Sequence, residues 1–111
     1  MLRISVKRRG VMSLKGGGMG CVRLIVTGKV QGVGFRAYVC AAARHAGIRG
    51  YVRNRANGCV EVLACGPEPA LDVLIGHIAK GPAGARVTGM ERESVDEGRM
   101  PEGFLVRYDE T

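Results

Sequence analysis

Two rhythms alternate along this chain in an order that few small folds can accommodate. Over residues 21–27, Val22, Leu24 and Val26 alternate with Arg23, Ile25 and Thr27, the two-residue period of a strand with one better-buried face. From Phe35 the period lengthens. Phe35, Val39, Ala42, Ala43 and Ala46 share one stripe of a helix predicted over 35–46, which Gly47 stops. Strands are predicted over 48–53 and 59–64. Between them lies Asn54-Arg55-Ala56-Asn57-Gly58, whose Asn-Gly pair is a strong hairpin signal. Leu71, Leu74, Ile75 and Ile78 predict a second helix over 68–80, with Pro69 in its first turn and Gly81-Pro82 at its end. A strand over 85–94, a polar loop over 96–103 and a strand over 104–108 complete the order. Strand-helix-strand-strand-helix-strand is the split β-α-β layout, an α+β ferredoxin-like sandwich: an antiparallel sheet with two helices on one face, and room for a short extra strand at an edge. Right-handed crossovers put strand 21–27 in the middle of that sheet.

With 111 residues the chain is long enough for one core and not two. The expected division is a basic, glycine-rich extension over 1–20, mobile or loosely packed, and a folded domain over 21–111. The net charge of +7 is concentrated in the extension, which carries Arg3, Lys7, Arg8, Arg9 and Lys15 and no acid. The remainder has 12 basic and 10 acidic side chains, so charge gives little support to a nucleic-acid partner. No apolar run is long enough to span a membrane or act as a secretory signal, and the expected location is the cytoplasm. Cys21, Cys40, Cys59 and Cys65 form no C-x-x-C pair and are expected to be reduced, partly buried thiols. No metal-ligand spacing is visible, and His45 and His77 read as helix-surface residues. The expectation is a monomer with no cofactor and no metal.

The segment Gly28-Lys29-Val30-Gln31-Gly32-Val33-Gly34-Phe35-Arg36 joins the first strand to the first helix. Its glycines let the backbone turn tightly and present N–H groups to one side, beside a helix N-terminus and an arginine; these are the parts of a phosphate site. It is neither a P-loop, which needs Gly-Lys-Ser/Thr, nor a dinucleotide fingerprint. From the glycines alone, a plain strand-to-helix turn remains an open alternative.

A second segment narrows the choice. Gly50, Val52 and Asn54 are followed by Asn57-Gly58 and Val60-Glu61. Together with the 28–36 loop these resemble the acylphosphatase family, whose G-x-V-Q-G-V-x-F-R loop is paired with G-x-V-x-N and a D/N-G-x-V-E hairpin. The resemblance covers about residues 21–109. The chain departs from the usual pattern at Asn57, where Asp is commoner, and at Tyr51, where Trp is frequent. The resemblance implies metal-independent hydrolysis of acyl phosphates to carboxylate and phosphate. It implies that Arg36 binds the phosphoryl oxygens and that Asn54 orients the attacking water. Lys29, Val30, Gln31, Gly32, Val33 and Gly34 would supply the rest of the phosphate cradle; the Lys29 side chain itself reads equally as a source of electrostatic steering or as a solvated loop lysine. Such chemistry needs little general acid, because the leaving carboxylate is stable at neutral pH. Arg53 and Arg55 read as solvated residues that widen a positive field. The competing reading is a non-catalytic phosphate- or nucleic-acid-binding module on the same fold. The third predicted strand, Cys59 to Cys65, has no aromatic residue on which a base could stack.

Overall fold

Alternation and helical stripes fold into the expected order, with one addition at the N-terminus. The structure is a computed structural model describing residues 3–7, 18–96, 98 and 100–108. Its elements are β1 (Arg3–Lys7), β2 (Met19–Lys29), α1 (Phe35–His45), β3 (Arg49–Asn54), β4 (Val60–Pro67), α2 (Glu68–Lys80), β5 (Arg86–Ser94) and β6 (Phe104–Arg107). The strands form one sheet in the order β1-β5-β2-β4-β3-β6. The four inner strands pair antiparallel, as predicted, while β1 lies parallel to β5 and β6 parallel to β3. β2 pairs with both β4 and β5 and so occupies the interior position expected for it.

The core lies between the sheet and the two helices, which also touch each other. Val22, Leu24 and Val26 of β2 are at most 2% exposed, and so are Phe35, Leu71 and Ile78 of the helices. Side chains one position away in β2, such as Arg23 and Ile25, are less buried, because neighbouring residues of a strand face opposite sides. Burying Phe35 alone contributes about 2–3 kcal/mol. Among the described residues no helix is long and apolar enough to cross a membrane.

Two expectations are corrected here. The loose extension over 1–20 gives way at its described residues to regular structure: 3–7 form β1, and β2 starts at Met19 rather than Cys21. The outer edge of β5 offers unpaired N–H and C=O groups, and a short segment containing the β-favouring Ile4 and Val6 completes them. Residues 1–2 and 8–17 lie outside the described residues. The second correction concerns the thiols, since Cys21 and Cys65 are joined in a disulfide. They face each other in the register of β2 and β4, with Cα atoms 4.1 Å apart. Spacing along the chain carries no trace of that register. Cys40 and Cys59 are free thiols.

Candidate active site

The site begins where β2 ends. A bulge between Thr27 and Gly28 shifts the register against β5, so that Gly28 and Lys29 pair with Val87 and Arg86 at the end of the strand. Gly28 has φ 123°, and a side chain there would collide with the backbone carbonyl of Arg86. The loop then reaches Gly34, in the left-handed region at φ 77°, which opens α1 with no side-chain cap. The first helical bond runs from the Tyr38 N–H to the Gly34 carbonyl at 3.1 Å. The amides of Phe35, Arg36 and Ala37 therefore precede the helical ladder. Among the described residues, the amides of Gln31 to Gly34 likewise donate to no backbone carbonyl. No acidic residue sits in the first turn of α1, so nothing in the sequence there offsets the positive pole of the helix.

Part of the loop and the start of α1 border a cavity of about 190 Å³ lined by Val30, Gly32, Gly34, Phe35, Arg36, Ala37, Asn54, Val106 and Tyr108. One water takes up about 30 Å³ of liquid, so a phosphoryl group and a water fit together. Arg36 rises from the first turn of α1 and is, among the described residues, the one charged residue of that lining. Its guanidinium lies over the Tyr108 ring, 4.6 Å from the centroid. Asn54 is the last residue of β3. Its Oδ1 is buried and has no hydrogen-bond donor among the described residues. A buried acceptor left unpaired is costly, and this one belongs to a residue that lines the cavity.

A family model for acylphosphatase matches residues 22–106. An acylphosphatase from Alkalilimnicola ehrlichii is 49% identical over 76% of this chain and 93% of its own length. The chain belongs to the acylphosphatase family. That membership makes it an enzyme, one that hydrolyses acyl phosphates. An acylphosphatase from Rhizobium etli is 41% identical over 77% of this chain and 90% of its own length. The crystal structure of acylphosphatase from Bacillus subtilis superposes with a TM-score of 0.77 at 35% identity, covering 82% of this chain and all of that one.

This acylphosphatase brings Arg36 and Asn54 to one cavity with Val30, Gly32 and Gly34, but not every residue of the expected cradle lines it. Lys29 is exposed at the end of β2, opposite Arg86. Val33 packs against the core. The side-chain amide of Gln31 turns away and donates to the carbonyls of Arg55 at 2.9 Å and Cys59 at 2.8 Å, tying the loop to the β3–β4 hairpin. Sequence reasoning missed Val106 and Tyr108. Both sit in a segment read only as an alternating strand, and their signal would have been the parallel pairing of β6 beside β3. His45 and His77 are exposed on the helices and do not line the cavity. No cluster of three or more His, Cys, Asp or Glu among the described residues is placed to hold a metal ion.

Arg53 and Arg55 are also corrected. Rather than standing free in solvent, both hold the carboxylate of Glu61, which is 2% exposed. Arg53 Nε and Nη2 donate to Glu61 Oε1 at 3.0 and 2.8 Å, and Arg55 Nη1 donates to the same oxygen at 2.8 Å. The Tyr51 hydroxyl donates to Oε2 at 3.2 Å, and Arg23 approaches it at 3.9 Å. Burial raises the pKa of Glu61, but the hydrogen bonds and charge of Arg53, with help from Tyr51 and Arg55, outweigh it and hold the carboxyl below its ordinary value. Burial and the neighbouring Glu61 carboxylate push the Tyr51 hydroxyl above its ordinary value.

Proposed function

We propose that the enzyme hydrolyses acyl phosphates by gripping the phosphoryl group between the 30–34 loop amides and Arg36 while Asn54 aims a water at phosphorus. The observation that carries this reading is the convergence of Arg36 and Asn54 on one cavity, with the Asn54 Oδ1 left without a hydrogen-bond partner among the described residues. The amides and the guanidinium offer donors fixed in place before substrate arrives, where the charge of the equatorial oxygens must be held. Water donates one proton in a hydrogen bond to Asn54 Oδ1 and attacks phosphorus in line with the departing acyl oxygen. The bond from phosphorus to that oxygen breaks, and the carboxylate leaves with the electron pair. The other proton of the water passes to a phosphoryl oxygen of the substrate, so no side chain needs to act as base. A stable carboxylate leaving group removes the need for a Lewis acid, and the reaction proceeds without a metal ion.

The test is acetyl phosphate turnover in excess chelator. Arg36→Ala and Asn54→Ala should each lower kcat/KM by about 10²–10³-fold. Arg36→Ala should also weaken inhibition by inorganic phosphate, and both variants should unfold at the temperature of the parent. Full activity in either variant removes that residue from the mechanism.

A further inference from the structure

We infer that Glu61, on the far face of the sheet from the cavity, is a positioning residue for Asn54. The inference rests on the proposed role of Asn54 and extends it to the groups that aim its side chain. Asn54 stands between Arg53 and Arg55. Successive residues of an extended backbone point to opposite faces, so fixing the two neighbours on one face presents the middle side chain to the other. Here both neighbours converge on a single oxygen. Arg53 reaches Glu61 Oε1 with two nitrogens and Arg55 reaches it with one.

The clamp is anchored on both sides. Arg53 and Glu61 are directly opposed in the register of β3 and β4, and Asn54 itself pairs with Val60. Beyond Asn54, the Arg55 N–H donates to the Cys59 carbonyl at 2.9 Å, and the Arg55 carbonyl accepts from Gln31. The Arg55 backbone is thus joined to the phosphate loop and its side chain to Glu61. Charged or titratable side chains face Glu61 from β2 (Arg23), from β3 (Tyr51 and Arg53) and from the hairpin turn (Arg55).

Stability alone is a weak reason for such a cluster. Buried ion pairs are commonly replaceable by apolar residues at little or no cost, whereas removing one partner strands the other charge. A shared carboxylate does something an apolar contact cannot, because it fixes the direction of two side chains at once. Attack in line on phosphorus depends on that kind of definition, and a misplacement of about 1 Å can cost about 100-fold in rate.

The experiment is a double-variant cycle on the full chain, assayed with acetyl phosphate and with inorganic phosphate as inhibitor. Glu61→Gln keeps the shape and removes the charge. It should lower kcat by about 10-fold or more. KM and the inhibition constant of phosphate should stay within about twofold, because the loop and Arg36 are untouched. In an Asn54→Ala background the same substitution should have no further effect on kcat, since the group it positions is gone. Arg55→Met removes one arm while Arg53 still neutralises Glu61, and it should show the same split between kcat and KM in smaller measure. It also serves should Glu61→Gln fail to fold. Additive losses in the double variant overturn the inference, as does a rise in KM matching the fall in kcat. Parental kcat in Glu61→Gln or, where that variant is unfolded, in Arg55→Met overturns it alone if Asn54→Ala is slow. Parental kcat in Asn54→Ala overturns the role of Asn54 and the inference with it.

Discussion

Arg36 occupies a place that helix physics disfavours for a cation, the positive first turn of α1. The Tyr108 ring beneath its guanidinium offsets part of that cost. Tyr108 is 77% exposed, so its contact with Arg36 does not come from membership of the core. Tyr108→Ala should therefore leave thermal unfolding unchanged. It should raise the inhibition constant of inorganic phosphate by about two- to fivefold, as the guanidinium gains freedom. Tyr108→Phe, which keeps the ring, should behave as the parent. Equal phosphate inhibition in the Ala and Phe variants would show that the ring does not hold Arg36. Arg36 and Asn54 were legible from the sequence because their motifs resemble a family. Tyr108 was not, because a lone aromatic at the end of an alternating run looks like any strand residue.

Loop and hairpin behave as one unit through Gln31. The sequence reading put Gln31 in the cradle and held no hint that its side chain would reach the carbonyls of Arg55 and Cys59. Those carbonyls are part-buried acceptors at the turn that carries Asn54 into place. Gln31→Leu removes one of two donors from each, since the Gly58 N–H still reaches the Arg55 carbonyl and the Arg55 N–H still reaches the Cys59 carbonyl, and should cost about 0.5–1.5 kcal/mol in denaturant unfolding. The phosphate inhibition constant should rise as well, because the amides of the loop lose their fixed orientation. Unchanged stability and phosphate inhibition together would mean that the loop holds its shape without the hairpin.

Stability of the molecule as a whole is tied to the far face of the sheet. Glu61 titrates below its ordinary value of 4.5, so the folded state binds its proton less readily than the unfolded chain does. The sign follows from that difference. Its contribution is fully present above about pH 4.5 and is lost as pH falls through the depressed value of the folded state. Denaturant midpoints should fall with acidification below about pH 4.5 in the parent, and less steeply in Glu61→Gln. An equal slope in both would assign the acid sensitivity to other carboxylates. The disulfide acts on the same face: it closes a span of 44 residues between Cys21 and Cys65. Reduction should lower stability by about 2–4 kcal/mol, read as a drop in Tm with added reductant. A Tm indifferent to reductant would mean the bridge adds nothing.

The sequence alone determined the order of elements from β2 onward, the helical and strand faces that build the core, and the loop and asparagine proposed for the site. Those are local matters of period, turn chemistry and motif, written in neighbouring residues. Tertiary structure decided what depends on register and on packing between distant segments. It paired Cys21 with Cys65, added β1 to the edge of β5, set Tyr108 beneath Arg36, and gathered Arg53 and Arg55 on Glu61. Register follows from the cooperative fit of a whole sheet, and a one-residue slip would send each of these side chains to the other face.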